Sequence, residues 1–169
     1  LDMLTKLVNK KPDYLEASIA LSDALCEQER YKEAISVMNE ISKYHPNNFD
    51  IYYTMGMIYT MLNDFSSAKT CYEKAAIINS LEYNTTYNIA MIELILGELE
   101  EAEKYFNKCI EDEELSPLAY YELAKIYMIR GDKETASQSL NLAIELDNNL
   151  YKKAMEEPIF IPIKGYINY

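Results

Sequence analysis

Large apolar, small and polar positions recur along this chain every 34 residues. The plainest mark is a ladder of alanines: Ala34, Ala68, Ala102 and Ala136. Counting each alanine as the twentieth residue of a unit divides the chain into 15–48, 49–82, 83–116 and 117–150. The seventh position then reads Leu21, Met55, Ile89 and Leu123, always large and apolar. The eighth reads Ser22, Gly56, Ala90 and Ala124, always small. The eleventh reads Leu25, Tyr59, Glu93 and Tyr127, and the twenty-fourth Met38, Tyr72, Phe106 and Leu140. The twenty-seventh reads Ile41, Ala75, Cys109 and Ala143. Positions 4, 7, 8 and 11 share one face of a first helix, and 20, 24 and 27 share one face of a second. Small residues at 8 and 20 let two backbones approach, and the large ones fill the space beside them. Strand-like alternation is scarce. The period predicts one helix–turn–helix unit per repeat in an almost wholly helical chain.

These positions resemble the tetratricopeptide repeat. That pattern has an aromatic at 4, Leu at 7, Gly or Ala at 8, Tyr at 11, Ala at 20, an aromatic at 24, Ala at 27 and Pro at 32. The second repeat carries nearly all of it in Tyr52, Met55, Gly56, Tyr59, Ala68, Tyr72 and Ala75. The fourth is close, with Tyr120, Leu123, Ala124, Tyr127, Gly131, Ala136 and Ala143. The first has Ser18 in place of the aromatic but keeps Pro46. The third departs most, with Thr86 at 4, Glu93 at 11 and Cys109 at 27. The resemblance implies an all-α, right-handed α-α superhelix of helical hairpins forming a single domain over 1–169.

Both ends extend the register. Pro12 stands 34 residues before Pro46, so residues 1–14 read as the second helix of a preceding repeat, with Leu4 and Leu7 at positions 24 and 27. A chain that starts inside an amphipathic helix without an initiator Met is expected to be part of a longer protein. After Leu150 a fifth first helix begins with Tyr151, Ala154 and Met155. Pro158 falls where the small eighth residue belongs and is expected to end it. Residues 151–169 therefore read as a capping helix and tail.

Charge narrows the partners. The net charge is −12. Phosphate binding needs a basic stripe, so nucleic acid is disfavoured, as is kinship with helical-hairpin RNA binders of similar period. The acidity is uneven: repeat 83–116 holds nine acidic residues and two lysines. Glu98, Glu100, Glu101 and Glu103 open its second helix, where the dipole favours negative charge. The plain reading is a solvated outer face; the sharper one is a docking patch for a basic partner or a divalent cation, although no spaced calcium-loop pattern supports the cation. No run is long and apolar enough to span a bilayer. Cys26, Cys71 and Cys109 fall at unrelated repeat positions, which predicts thiols outside disulfides, a reducing compartment and a cytoplasmic location.

The resemblance also implies where a partner lies. In this family the first helices line a concave groove through positions 2, 5, 9 and 12. Position 2 reads Glu16, Asp50, Asn84 and Leu118; position 5 reads Ile19, Tyr53, Tyr87 and Tyr121. Position 9 reads Asp23, Met57, Met91 and Lys125; position 12 reads Cys26, Thr60, Leu94 and Met128. Tyrosine combines large area, low rotamer entropy and a polar tip, and methionine adapts to irregular partners. Tyr53, Met57, Tyr87, Asn88, Met91, Leu94, Tyr121, Lys125 and Met128 form the expected peptide-binding set. The competing reading has the tyrosines packed between adjacent first helices. A carboxylate clamp of the cochaperone type is not expected. Its cationic positions fall on Tyr53, Leu118 and Glu122, and of the clamp's residues only Asn88 fits.

Catalytic chemistry has no foothold. His45 is the only histidine, beside Pro46 at a helix end, and reads as structural. No zinc spacing, nucleophile–base pair or phosphate-binding glycine loop is present, so no catalytic residue, metal or cofactor is expected. Gly97 and Gly131, both at position 15, suit the turn between paired helices. Glu93 is unusual at a packing position: it snorkels, its helix shifts so that Leu94 fills the gap, or it is a buried carboxylate. The expected function is noncatalytic binding of a protein or peptide partner of apolar or basic character. Two alternatives stand beside it. In one, the apolar tail Ile159–Ile163 lies in a neighbour's groove; in the other, this is the regulatory or substrate-presenting part of a larger enzyme.

Overall fold

The computed structural model describes residues 1–167; Asn168 and Tyr169, the end of the expected tail, lie outside it. The described residues form ten α-helices and one 3-10 helix, with no strand among them. The chain divides into two compact units, Leu1–Thr85 and Thr86–Tyr169.

The first unit contains α1 (Asp2–Lys10), α2 (Leu15–Cys26), α3 (Tyr31–Tyr44), α4 (Phe49–Met61) and α5 (Phe65–Ile78). α2 pairs with α3 and α4 with α5, α3 packs on α4, and α1 lies against α2. The core is the repeat pattern made solid: Leu21, Leu25, Ala34, Met38, Ile41, Met55 and Ala75 are buried together. Gly56 on α4 faces the Tyr72 ring of α5. A Cβ there would sit 2.6 Å from the Tyr72 ring, so the ring occupies the space that a side chain would need. Across the same hairpin the Lys74 ammonium donates to the Tyr52 hydroxyl at 2.8 Å and stands 4.0 Å from its ring centroid. His45 has a structural task. Its Nε2 lies 2.9 Å from the Asp13 carbonyl, joining two interhelix turns.

The second unit begins within α6 (Tyr83–Leu96) and continues with α7 (Leu99–Cys109), α8 (Ser116–Arg130), α9 (Lys133–Leu146) and α10 (Asn149–Glu156). α8 and α9 form a hairpin, α7 packs on α8, and α10 on α9. Between α7 and α8, Glu103 accepts from the Tyr127 hydroxyl at 2.8 Å and pairs with Arg130. Burial raises the Glu103 pKa and these partners lower it; the partners win, and the group lies below its ordinary value. Pro158 opens a 3-10 helix, Pro158–Tyr166, that packs on α8, α9 and α10. Its Phe160 and Ile163 are fully buried with Leu140, Ala143 and Ala154, and Asn141 donates to the Tyr166 carbonyl at 2.9 Å. The segment expected to reach a neighbour's groove is therefore seated on its own chain. The reason is apolar area: Phe160 and Ile163 are covered within the same unit, while Ile161 stays exposed.

One turn serves all four hairpins. Position 15 is left-handed in each: Glu29 at φ 58, Asn63 at φ 57, Gly97 and Gly131 at φ 81. The next amide then reaches back five residues, from Arg30 to Leu25, Asp64 to Tyr59, Glu98 to Glu93 and Asp132 to Tyr127, each at 2.9 Å. This 6→1 bond satisfies a carbonyl that the helix end leaves without a partner. Asp64 and Asp132 then cap the following helix by accepting from the amides of Ser67 and Thr135.

Glu93 resolves differently from two of its expected outcomes. It is 2 % exposed, so it does not snorkel, and Leu94 does not replace it at the packing position because Leu94 is only half-buried.

Candidate functional site

In the first unit, α4 presents Tyr53, Met57 and Thr60 from one face. Tyr53 is half-buried. Its ring stacks on Phe49 with centroids 5.4 Å apart and meets the edge of Tyr72 at 5.7 Å. These contacts hold the ring in place while leaving part of it open. Met57, one turn on, is exposed. Burial pushes the hydroxyl of Tyr72, the ring that meets Tyr53, up to about 12.

In the second unit, Tyr87, Asn88, Met91 and Leu94 are all half-buried on α6. Tyr87 meets Phe106 edge-on at 5.5 Å, which ties α6 to α7. Burial foremost, then the nearby Glu122 carboxylate, raises the Tyr87 hydroxyl far above its ordinary range. It therefore stays a neutral hydrogen-bonding group at any physiological pH. On α8, Lys125 and Met128 are half-buried. The Lys125 ammonium pairs with Glu122 at 2.9 Å, so the position that a clamp would fill with a cation holds a buried, neutralised acid.

Tyr121 differs from its counterparts. It is 0 % exposed, meets Phe160 edge-on at 5.4 Å, and has the Lys153 ammonium 4.5 Å from its ring centroid. The C-terminal segment covers it, so in this structure its ring is core rather than open surface.

Position 13 was not among the groove positions, yet it carries the most exposed apolar side chains of these faces. Met61 is 54 % exposed, Ile95 55 % and Ile129 54 %. Each stands four residues after position 9 and so continues that face by one helical turn. The readable signal was the column itself: three large apolar residues in register beyond the packing positions.

Among the described residues, no group of three or more His, Cys, Asp and Glu side chains is arranged to hold a metal ion. No helix among the described residues is long and apolar enough to cross a membrane. Burial pushes Cys71 up to about 11 and Cys109 up to about 12, which keeps both as thiols.

Two family models, each described as Tetratricopeptide repeat, match the chain, one over residues 26–80 and the other over 84–111 and 118–150. No curated protein sequence is significantly similar. Among solved structures, MamA aligns with a TM-score of 0.81 at 18 % identity over 88 % of this chain and 87 % of its own. YrrB, described as a TPR protein with an unusual peptide-binding site, aligns with a TM-score of 0.74 at 15 % identity over 96 % and 89 %. A tetratricopeptide repeat protein from Parabacteroides merdae gives 0.79 at 22 % identity over 94 % of this chain and 64 % of its own. At such identities the likeness speaks for the fold, an all-α solenoid of helical hairpins. The family models cover most of the sequence, and the chain belongs to the tetratricopeptide-repeat family.

Proposed function

We propose that the chain is a noncatalytic scaffold that binds a peptide or protein partner through the exposed faces of its first helices. One observation carries the reading. Tyr53 and Tyr87, at equivalent repeat positions, are held by ring contacts yet remain partly open, and Met57, Met91, Leu94 and Met128 at the other groove positions are half-buried or exposed. A ring already held in one rotamer loses little entropy when a partner covers it, which is what a binding anchor requires. Asn88 and Lys125 supply polar points beside the apolar ones. Tyr121 supports α8 from within. Tetratricopeptide repeats take protein or peptide partners, and YrrB carries a peptide-binding site by its own description, so the family favours the same reading. A reducing, cytoplasmic setting suits three cysteines that are in no disulfide.

The test is direct. Peptides selected from a displayed library on the intact chain are titrated by calorimetry against wild type, Tyr53→Ala and Tyr87→Ala, with helicity checked by circular dichroism. Loss of a contacting tyrosine is expected to weaken affinity about tenfold. Selected peptides that bind both variants as tightly as wild type would rule this face out.

A further inference from the structure

We infer that the C-terminal end of the first-helix face in the second unit docks a partner segment carrying apolar and basic side chains together. This rests on the scaffold reading above and names the chemistry of its partner. The apolar half of the site is Ile95, Leu96 and Ile129, which are 55 %, 50 % and 54 % exposed. Ile95 and Ile129 hold equivalent positions on α6 and α8, one turn beyond Met91 and Lys125. Apolar side chains of this size, in register and half open, form the kind of patch that association covers.

The charged half directly follows it in sequence. A depression of about 530 Å³ is lined by Gly97, Glu98, Leu99, Glu100, Glu101 and Arg130, the residues that directly follow Leu96 and Ile129. Its cation is already committed, since Arg130 pairs with Glu103. Glu101 is exposed and pairs with Lys104 at 3.2 Å. Among the described residues, Glu98 and Glu100 are in no ion pair. The depression thus presents excess negative charge beside an apolar ledge. A partner with Leu, Ile or Phe side chains on the ledge and Lys or Arg one turn away satisfies both halves. An acidic partner meets like charge at the same place. The first unit lacks the pair: Met61 is exposed at position 13, but the acid that follows it, Asp64, is engaged as a helix cap with Ser67.

Two labelled synthetic helical peptides test this by fluorescence anisotropy on the intact chain. One is amphipathic Leu/Lys, and the other is the same peptide with every Lys replaced by Glu. The Leu/Lys peptide is expected to bind at least about tenfold more tightly, and to weaken as salt screens the carboxylates. Ile95→Ser with Ile129→Ser is expected to weaken it at least about fivefold, and so is the triple variant Glu98→Gln, Glu100→Gln, Glu101→Gln. All five positions are on the surface, and circular dichroism verifies that the variants fold. A control removes acids elsewhere, with Glu111→Gln, Glu113→Gln and Glu114→Gln, and is expected to leave binding unchanged. Equal binding of the two peptides overturns the proposal. So does a loss in the control as large as in the Glu98/Glu100/Glu101 variant, which would indicate general attraction to an acidic protein. Library-selected peptides that respond to Tyr87→Ala but not to the Ile95/Ile129 variant leave the scaffold reading standing and remove this one. Absence of any peptide binding removes both.

Discussion

Tyr53 and Tyr121 occupy the same place in their repeats, on α4 and α8, and meet different fates. Tyr53 leans on Phe49 and Tyr72 and stays half open; Tyr121 lies wholly buried under Phe160. The repeat register decides which way a side chain points. Whatever packs next to that face decides whether it meets solvent. In the first unit the open face of α4 is left uncovered at Met57, whereas in the second unit a 3-10 helix lies on α8 and α9. The turns differ in the same spirit. The second unit places glycine at both left-handed positions, while the first places Glu29 and Asn63 there. The geometry is common to both, and the cost of adopting it is not.

Breaking the cover should have the largest effect. Phe160→Ala removes a fully buried ring and is expected to destabilise the second unit by about 3–5 kcal/mol. Hydrogen exchange should then speed up in α8–α10 while the α2–α5 amides keep their protection. Equal loss in both units would show that they share one cooperative core. Next comes the close approach in the first unit. Gly56→Ala forces a Cβ into the Tyr72 ring and is expected to cost about 1–3 kcal/mol in urea denaturation, although the second unit carries alanine at the equivalent Ala90 and Ala124.

The turns sharpen the contrast at smaller magnitude. Gly131→Ala is expected to lose about 1 kcal/mol, since alanine pays the left-handed penalty that glycine escapes. Glu29→Gly at the same repeat position is expected to gain a few tenths of a kcal/mol, because relief of strain outweighs the added freedom of the unfolded chain. Opposite signs in thermal melts are the result that matters. A further prediction concerns the thiols. Cys71 and Cys109 are raised to about 11 and 12 when folded, against an ordinary value near 9, so the fold favours the neutral thiol. That contribution is complete below about pH 8.5, where unfolded thiols begin to ionise, and is lost as pH rises toward the folded values. Iodoacetamide at pH 8 should modify Cys26 first and leave the other two until the chain unfolds.

Much of this molecule could be read before its coordinates. Position-specific size, small at 8 and 20 and large at 7 and 24, is set by interhelix packing, and packing repeats whenever the hairpin repeats. The left-handed turns were legible only where glycine announced them. Glu29 adopts the same conformation without a residue-type signal, held by the backbone bond to Leu25, whereas Asn63 is a residue type that tolerates it. The site was half legible. Face and period follow from helix geometry, but the closure of Tyr121 depends on a segment outside the repeat, which no register describes. Ile95 and Ile129 were passed over because an exposed apolar residue obeys no packing rule. Glu93 shows the opposite limit: a carboxylate at a core position gave no sign of whether it would stay in or swing out.

The seating of the C-terminal 3-10 helix also orders events during synthesis. Every residue of the first unit's core cluster lies between Leu4 and Ile78, so that unit has all it needs while the rest is still being translated. The second unit's cluster reaches to Phe160, Ile163 and Ile167. Until those residues emerge, Tyr121 and its neighbours on α8 and α9 face solvent as an apolar surface without its lid. A nascent chain therefore passes through a stage in which the first unit is complete and the second is exposed to chaperones, until Phe160 and Ile163 emerge and close it.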